Sequence, residues 1–438
     1  MVGVKNGDRE MRMHCRILFV TLLVCLSLGS VAWCADEVAV LRAGTARVDI
    51  TPEKPVQMAG YASRKDLSTC VHDPLSTRVL AFEADGKRLV LISMDIIGFY
   101  EGTAEYLREA LLAEYNLKPS ELFLCAIHTH SAPSPTINKD RGHPNNVEYT
   151  EKLRGDLIEA VGQALGRMQP AEVGVGVGSC PVGSNRRELR IDKAGESSIV
   201  LGRNPNGPTD KEVLVMKVGG PDGTPLAVAF DYATHATCLG PGNYAISGDV
   251  LGLAEQFVER ILGIGVIAPA FAGASGNIDP WFRVLPEFNT EPGWVPEPVL
   301  LGTFLGTEVV HIYRAIGTTA TPSRIATALV VLDLPTKPSD SLAQGGASTR
   351  PFVVTVARLG DVAFVGLGGE VLTEIGLAIK AGSPCKHTFI ITHCNGAAGY
   401  LAPDDLHVEG GYEVRSSRFA PQAADVVVRE SIRLLHDL

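Results

Sequence analysis

Arg78-Val-Leu-Ala-Phe-Glu-Ala-Asp85-Gly86-Lys-Arg-Leu-Val-Leu-Ile-Ser-Met-Asp95-Ile-Ile97 is the stretch that decides the architecture. Two apolar, strand-like runs flank an Asp-Gly turn, so the segment reads as a hairpin. A helix is expected near Thr103 to Glu114, then a strand over Leu122 to Ile127 that ends at His128. Hairpin, helix and strand together make an α/β unit.

The plan recurs twice. Val213 to Thr234 reads as a hairpin turning at Pro221-Asp222-Gly223, followed by a helix near Val250 to Leu262 and a strand near Ile264 to Phe271. Phe352 to Gly366 turns at Leu359-Gly-Asp361, with a helix near Val371 to Ile379 and a strand over Thr388 to Thr392. The hairpins end near Asp95, His235 and Glu370, 140 and 135 positions apart. The expectation is an α/β protein of mixed β-sheets flanked by helices, built from three hairpin-helix-strand repeats; ordinary α/β alternation gives the same reading. Sites in such folds gather at strand ends and the loops beyond them. The Gly-, Pro- and charge-rich segments 133–145, 179–210 and 279–298 read as long loops walling a cleft.

With 438 residues, 45% apolar and 20% charged, the chain can bury one large or two medium cores. A formal charge of −10 without a long basic run argues against nucleic acid as the main partner. Small molecules and neutral lipids stay open. At the N-terminus, Arg12 and Arg16 precede the apolar run Ile17 to Leu28 and the small residues around Ala32, Cys34 and Ala35. This reads as a secretory signal peptide, residues 1–35, too short in its apolar part to span a bilayer. Nine cysteines fall to six after that cleavage, Cys70, Cys125, Cys180, Cys238, Cys385 and Cys394. Export permits disulfides, but the irregular spacing gives no connectivity, and Cys125 inside an apolar strand reads as a buried thiol.

The chemistry-bearing residues stand at the strand ends. His128 and His130 follow the strand from Leu122, two apart and so expected on one face. His235 closes the second hairpin and Glu370 the third. A zinc hydrolase needs three or four N/O ligands with one position left for water. Taken singly, His235 reads equally as a satisfied core histidine and Glu370 as a helix-start acid. His393, after a strand, is a reserve ligand.

Ala43-Gly-Thr-Ala-Arg-Val-Asp-Ile-Thr-Pro52, then Met58-Ala-Gly-Tyr61, then His128-Thr-His-Ser131 resemble the opening of the neutral, non-lysosomal ceramidase family. Asn185-Arg186, His235, Gly369-Glu370, Tyr400 and Tyr412 follow in the family's order. The resemblance implies a zinc amidase acting on the amide of an N-acylated sphingoid base, with His128, His235, Glu370 and Tyr400 as zinc ligands. Tyr400 reads equally as a donor behind the ligands. By the same resemblance His130 sits beside the metal water or oxyanion, Arg186 binds a polar group of the substrate and Tyr412 steadies the tetrahedral intermediate.

Two departures stand out. The family's Gly-(Asp/Asn)-x-Ser-Pro motif reads Gly276-Asn-Ile-Asp279-Pro280 in this chain. Asp279 cannot act like the serine hydroxyl, although a carboxylate there can serve as general base or further ligand. Family enzymes also usually continue into a C-terminal β-sandwich domain, and residues 36–438 are expected to form the catalytic domain alone. The expected function is a secreted zinc-dependent amide hydrolase, with a small-molecule or lipid amide as substrate and peripheral membrane contact compatible with it. The alternatives are hydrolysis of a non-ceramide amide or ester, and an exported non-catalytic domain that keeps the metal scaffold.

Overall fold

The computed structural model describes residues 40–281, 297–338 and 348–438. The stretch read as a signal peptide lies outside the described residues, as does most of the loop expected over 279–298.

Three mixed sheets carry the fold. In the first, β1 (Arg42–Asp49) pairs antiparallel with β2 (Ser76–Ala84), β2 with β3 (Lys87–Met94), and α1 (Thr103–Tyr115) crosses over to β4 (Leu122–Ala126), which lies parallel to β3. Helix α2 (Pro144–Gly166) follows. In the second, β5 (Glu172–Ser179) pairs with β8 (Glu212–Gly219), β8 with β9 (Pro225–Tyr232), and α3 (Asp249–Leu262) leads to β10 (Ala270–Ala272), parallel to β9. Between β5 and β8, β6 (Gly183–Ile191) and β7 (Ser197–Asn204) form a hairpin, and β11 (Ile278–Pro280) pairs with its base. In the third, after α4 (Glu297–Ala315), β12 (Ile325–Pro335) pairs with β13 (Thr349–Leu359), β13 with β14 (Val362–Leu367), and α5 (Thr373–Gly382) leads to β15 (His387–Ile391), parallel to β14. Helix α6 (Ala423–Asp437) closes the chain. Each sheet therefore repeats one order: outer strand, hairpin, crossover helix, parallel strand.

The period-two alternation of strand side chains explains how three sheets share one molecule. Leu80, Phe82, Leu89, Leu91 and Phe123 of the first sheet, Leu214, Met216, Ala227 and Ala229 of the second, and Ala357, Phe364 and Phe389 of the third point into one central core. The intervening residues face outward onto helices: Val79, Val90 and Ile92 meet α1 and α2, Val213, Val228 and Phe230 meet α3 and α4, and Val354, Val365 and Ile390 meet α5 and α6. Strands covered on both faces must be apolar throughout, which is why these runs lack polar alternation.

The expected turns at Asp85-Gly86, 221–223 and 359–361 all connect strands, and three expectations need correcting. The segment 179–210 is not a loop: it holds the β6–β7 hairpin, whose turn is organised by Asp192 Oδ1 accepting from Ala194 N (2.8 Å) and Glu196 N (3.0 Å). A two-stranded ribbon exposed along one face tolerates charge, and that charge hid it. The strand expected near Ile264 to Phe271 is regular only at Ala270–Ala272, because Pro269 just before it has no N–H to offer β9, and the chain upstream pairs only as an isolated bridge, Ala227 to Ile267. The strand before His128 ends at Ala126, and His128 itself has φ 61°. The two imidazoles of His128 and His130 thus converge through a left-handed residue rather than through the pleat. No described helix is long and apolar enough to cross a membrane.

Candidate metal centre

Two backbone bridges between the sheets and one short pairing within the third unit assemble one cluster. Thr129 bridges in parallel to Ala236, and His130 N donates to Ala236 O at 3.0 Å, which lays His128 and His130 against His235. Cys125 bridges to Cys394 and draws His393 to the same place. Glu370 and Tyr400 are direct partners in a short parallel pair. Residues far apart in the chain thus meet where the strand ends of all three sheets converge.

Backbone carbonyls set the histidine tautomers. His128 Nδ1 donates to Ile97 O at 2.6 Å, and His235 Nδ1 donates to Ser275 O at 2.7 Å and Ile278 O at 3.0 Å. A carbonyl only accepts, so each Nδ1 carries the proton and each Nε2 presents a lone pair inward. Glu370 Oε2 lies 3.6 Å from His128 Nε2 and 3.7 Å from His235 Nε2. His130 Nε2 is 3.2 Å from His128 Nε2, and His128, His130 and His235 offer nitrogens all within 4.8 Å of one another.

These residues fit a metal ion. His235 Nε2 and Glu370 Oε2 are buried without a hydrogen-bond partner, a costly state for polar atoms unless something binds them. Ligands about 2.1 Å from a tetrahedral zinc stand about 3.4 Å from one another, close to the separations observed. Carbonyl-anchored Nδ1 atoms are also the usual support behind metal-bound imidazoles.

Electrostatics favour the same state. Burial works to raise the Glu370 carboxyl, but His128, His235 and His393 outweigh it and hold the carboxyl well below its usual range. Burial, with His128 and His235 adding to it, pushes His130 well below the ordinary imidazole value. Burial and then Arg186 lower His235. His130, His235 and His393 are thus pushed toward the neutral imidazole and Glu370 toward the carboxylate, the forms in which these groups ligate a divalent cation.

Arg186 organises the neighbouring wall. Its Nε donates to Glu413 (2.7 Å), one Nη to Asp279 (3.1 Å), and the other to Gly276 O (2.7 Å) and the Tyr400 hydroxyl (3.2 Å). Burial alone would lower this guanidinium, but Asp279, Tyr400 and Glu413 hold it well above its ordinary value. Tyr400 lies beside the Glu370 carboxylate, and burial followed by that charge raises its hydroxyl well above the usual range. The Tyr412 ring stands 5.7 Å from that of Tyr400, 77° off parallel, and is 39% exposed, at the rim. Register explains Asp279: it pairs with Ser184 on β6, next to Asn185 and Arg186.

All eight candidates, His128, His130, His235, Glu370, Tyr400, Arg186, Asp279 and Tyr412, thus belong to one connected cluster. The sequence reading missed several of its supports. Glu413 is fully buried between Arg186 and Arg187, and only its place beside Tyr412 hinted at it. Arg64 donates to His130 O (2.5 Å), Ala59 O (2.9 Å) and Gly240 O (3.0 Å). Tyr61 meets the His130 ring edge-on at 5.0 Å, which gives the Met58-Ala-Gly-Tyr61 motif a physical purpose.

Residues 41–270, more than half of the chain, match the family model described as neutral/alkaline non-lysosomal ceramidase, N-terminal. The chain belongs to that family. Curated relatives include the neutral ceramidase of Oryza sativa subsp. japonica, 24% identical over 226 residues that cover 49% of this chain and 28% of that protein. The neutral ceramidase of Mycobacterium tuberculosis is 26% identical over 250 residues, covering 51% of this chain and 36% of that protein. The matched region therefore spans about a third of these ceramidases. The crystal structure of neutral ceramidase from Pseudomonas aeruginosa superposes with a TM-score of 0.73 over 91% of this chain and 75% of that one, at 18% identity. The ceramidase fold is thus shared well past residue 270, through the segments that bring Glu370, Tyr400 and Tyr412 to the centre.

Proposed function

We propose that this ceramidase-family chain is an exported, zinc-dependent hydrolase of an N-acyl amide, with a lipid amide of the ceramide class as substrate. One observation carries the reading: His128, His235 and Glu370 aim ligand atoms at a common point, and two of those atoms are buried without partners. His128, His235, Glu370 and Tyr400 hold the metal in this reading. Zinc, when bound, polarises an acyl carbonyl and brings the pKa of a coordinated water to about 7.

The remaining steps belong to the chain. His130, neutral and adjacent, takes the proton of the attacking water. Tyr412 at the rim donates to the developing oxyanion. Arg186 positions rather than binds, because four of its donor contacts already go to Glu413, Asp279, Gly276 and Tyr400. Asp279, in the place where the family motif has serine, fixes Arg186 and lends negative charge to the wall instead of a hydroxyl.

The test is metal content of the purified chain beside the His128→Ala/His235→Ala variant, with turnover on a panel of N-acyl amides and matched esters. The expected result is about one zinc per chain, lost in the variant, with amide cleavage that requires it. No metal in the wild type after zinc is supplied overturns the reading. Stoichiometric zinc without turnover on any amide or ester supports the non-catalytic domain instead.

A further inference from the structure

Cys125 and Cys394 meet beneath the metal centre, one three residues before His128 and the other next to His393. They are partners in an isolated antiparallel bridge. Asn395 N donates to Leu124 O at 2.9 Å and Ala126 N to His393 O at 3.3 Å. These flanking bonds put the cysteines at the narrow, non-hydrogen-bonded position, where facing Cα atoms approach to about 4.5 Å and side chains come closest. That separation lies inside the range of about 4.4–6.8 Å spanned by disulfides. The two Sγ atoms are 3.5 Å apart.

The surroundings are apolar and closed to solvent. Both side chains belong to the central apolar core, with Cys125 1% and Cys394 0% exposed. A Cβ at residue 366 would come within 2.5 Å of Cys394 Sγ, so the sulfur occupies the space that glycine leaves open. Rotation about the two Cα–Cβ bonds is the movement that closure at this position calls for.

We propose that Cys125 and Cys394 form a disulfide that ties the strand leading to His128 to the segment carrying His393 and Tyr400. The two thiols give up two protons and two electrons as the S–S bond forms. An oxidised dithiol donor accepts them through a mixed disulfide and leaves as the dithiol. Because both sulfurs are sealed in the core, exchange takes place while the chain folds, before the segment after β15 docks on β4. The folded protein then resists reduction. The bond needs an oxidising compartment, which accords with the export reading of residues 1–35.

The experiment refolds the full reduced chain with zinc in glutathione buffer rich in the oxidised form, then denatures and alkylates it without reductant for peptide mapping. Chain exported into a bacterial periplasm is mapped in parallel. The expected product is a peptide pair joined through Cys125 and Cys394, two hydrogens lighter than the separate thiols. Reductant should also lower the Tm of the wild type and leave that of Cys125→Ala/Cys394→Ala unchanged. Complete alkylation of both cysteines in chain with native circular dichroism overturns the proposal. So does a link from either one to a different cysteine, or an equal reductant effect on both proteins.

Discussion

His393 lies flat on His128: the ring centroids are 3.8 Å apart and the planes 11° from parallel. A ligated metal sits in the plane of its imidazole. Two rings stacked this way cannot both hold one ion, so His393 is not a co-ligand with His128 and instead clamps its face. Both residues adopt positive φ, 50° and 61°, strained for non-glycine residues and maintained by the bridges on either side.

The stack predicts an asymmetry between two substitutions. His393→Ala frees the His128 ring and should weaken zinc retention about 10–100-fold, the usual cost of losing a support behind a metal ligand. His393→Phe keeps a flat ring there and should stay within a few-fold of wild type. Competition with a chromogenic chelator measures both. Equal behaviour of the two variants would show that the stacked face is irrelevant.

Gly60 makes the approach of the Tyr61 loop to His130 feasible. Its φ is 94°, and a Cβ there would stand 2.3 Å from His130 Nδ1. Gly60→Ala should cost about 1–3 kcal/mol in backbone strain alone and displace the His130 ring. On the proposed function, turnover should fall while metal content stays that of the wild type. Urea unfolding with zinc analysis separates the effects, and loss of zinc in step with turnover would contradict this account.

Glu413 has both oxygens committed, to Arg186 at 2.7 Å and Arg187 at 3.0 Å. Removing one member of a buried ionic group strands the others and typically costs about 3–5 kcal/mol. Glu413→Gln should therefore destabilise the protein by about that amount, although Glu413 touches none of the metal-facing atoms. A double-mutant cycle with Arg187→Met should show strong coupling; additive effects would mean that the ion pairs are not the cause.

Asp231 supplies a pH dependence of its own. Burial pushes its carboxyl up to about 7, against the opposing pull of Lys380 and the hydrogen bond from Ile390 N, with Asp210 and Glu212 adding to the rise. An unfolded aspartate titrates near about 3.9. The folded chain therefore binds the extra proton between these values. Its contribution to stability is complete below about pH 4 and is lost as pH rises through 7, a difference of about 4 kcal/mol. Asp231→Asn keeps an acceptor for Ile390 N and cannot ionise, so its advantage over wild type should grow from pH 5 to pH 8. Parallel urea midpoints across that range would rule the effect out.

Much of the architecture follows from local pattern. Apolar runs broken at Asp85-Gly86, Asp222-Gly223 and Gly360-Asp361 announce the hairpins because turn chemistry acts over a few residues. The β6–β7 ribbon was harder to read, since its exposed face lets Glu188, Arg190 and Lys193 obscure the alternation. His128, His235 and Glu370 were legible as strand-end polar residues. Glu413 and Arg64 were not, because nothing near them in the chain reveals that a guanidinium or carbonyl lies opposite.

The sequence by itself determined the three hairpin-helix-strand units, the identity of the imidazoles and carboxylate able to bind a metal, and the substitution of aspartate at residue 279. Tertiary structure alone decided which of these side chains meet. The bridges Thr129–Ala236 and Cys125–Cys394 and the register of Glu370 with Tyr400 join segments more than a hundred residues apart or opposite ends of one unit. Such pairings arise from how three double-faced sheets close on one core. A metal centre depends on separations of a few ångströms between groups that the linear chain keeps apart.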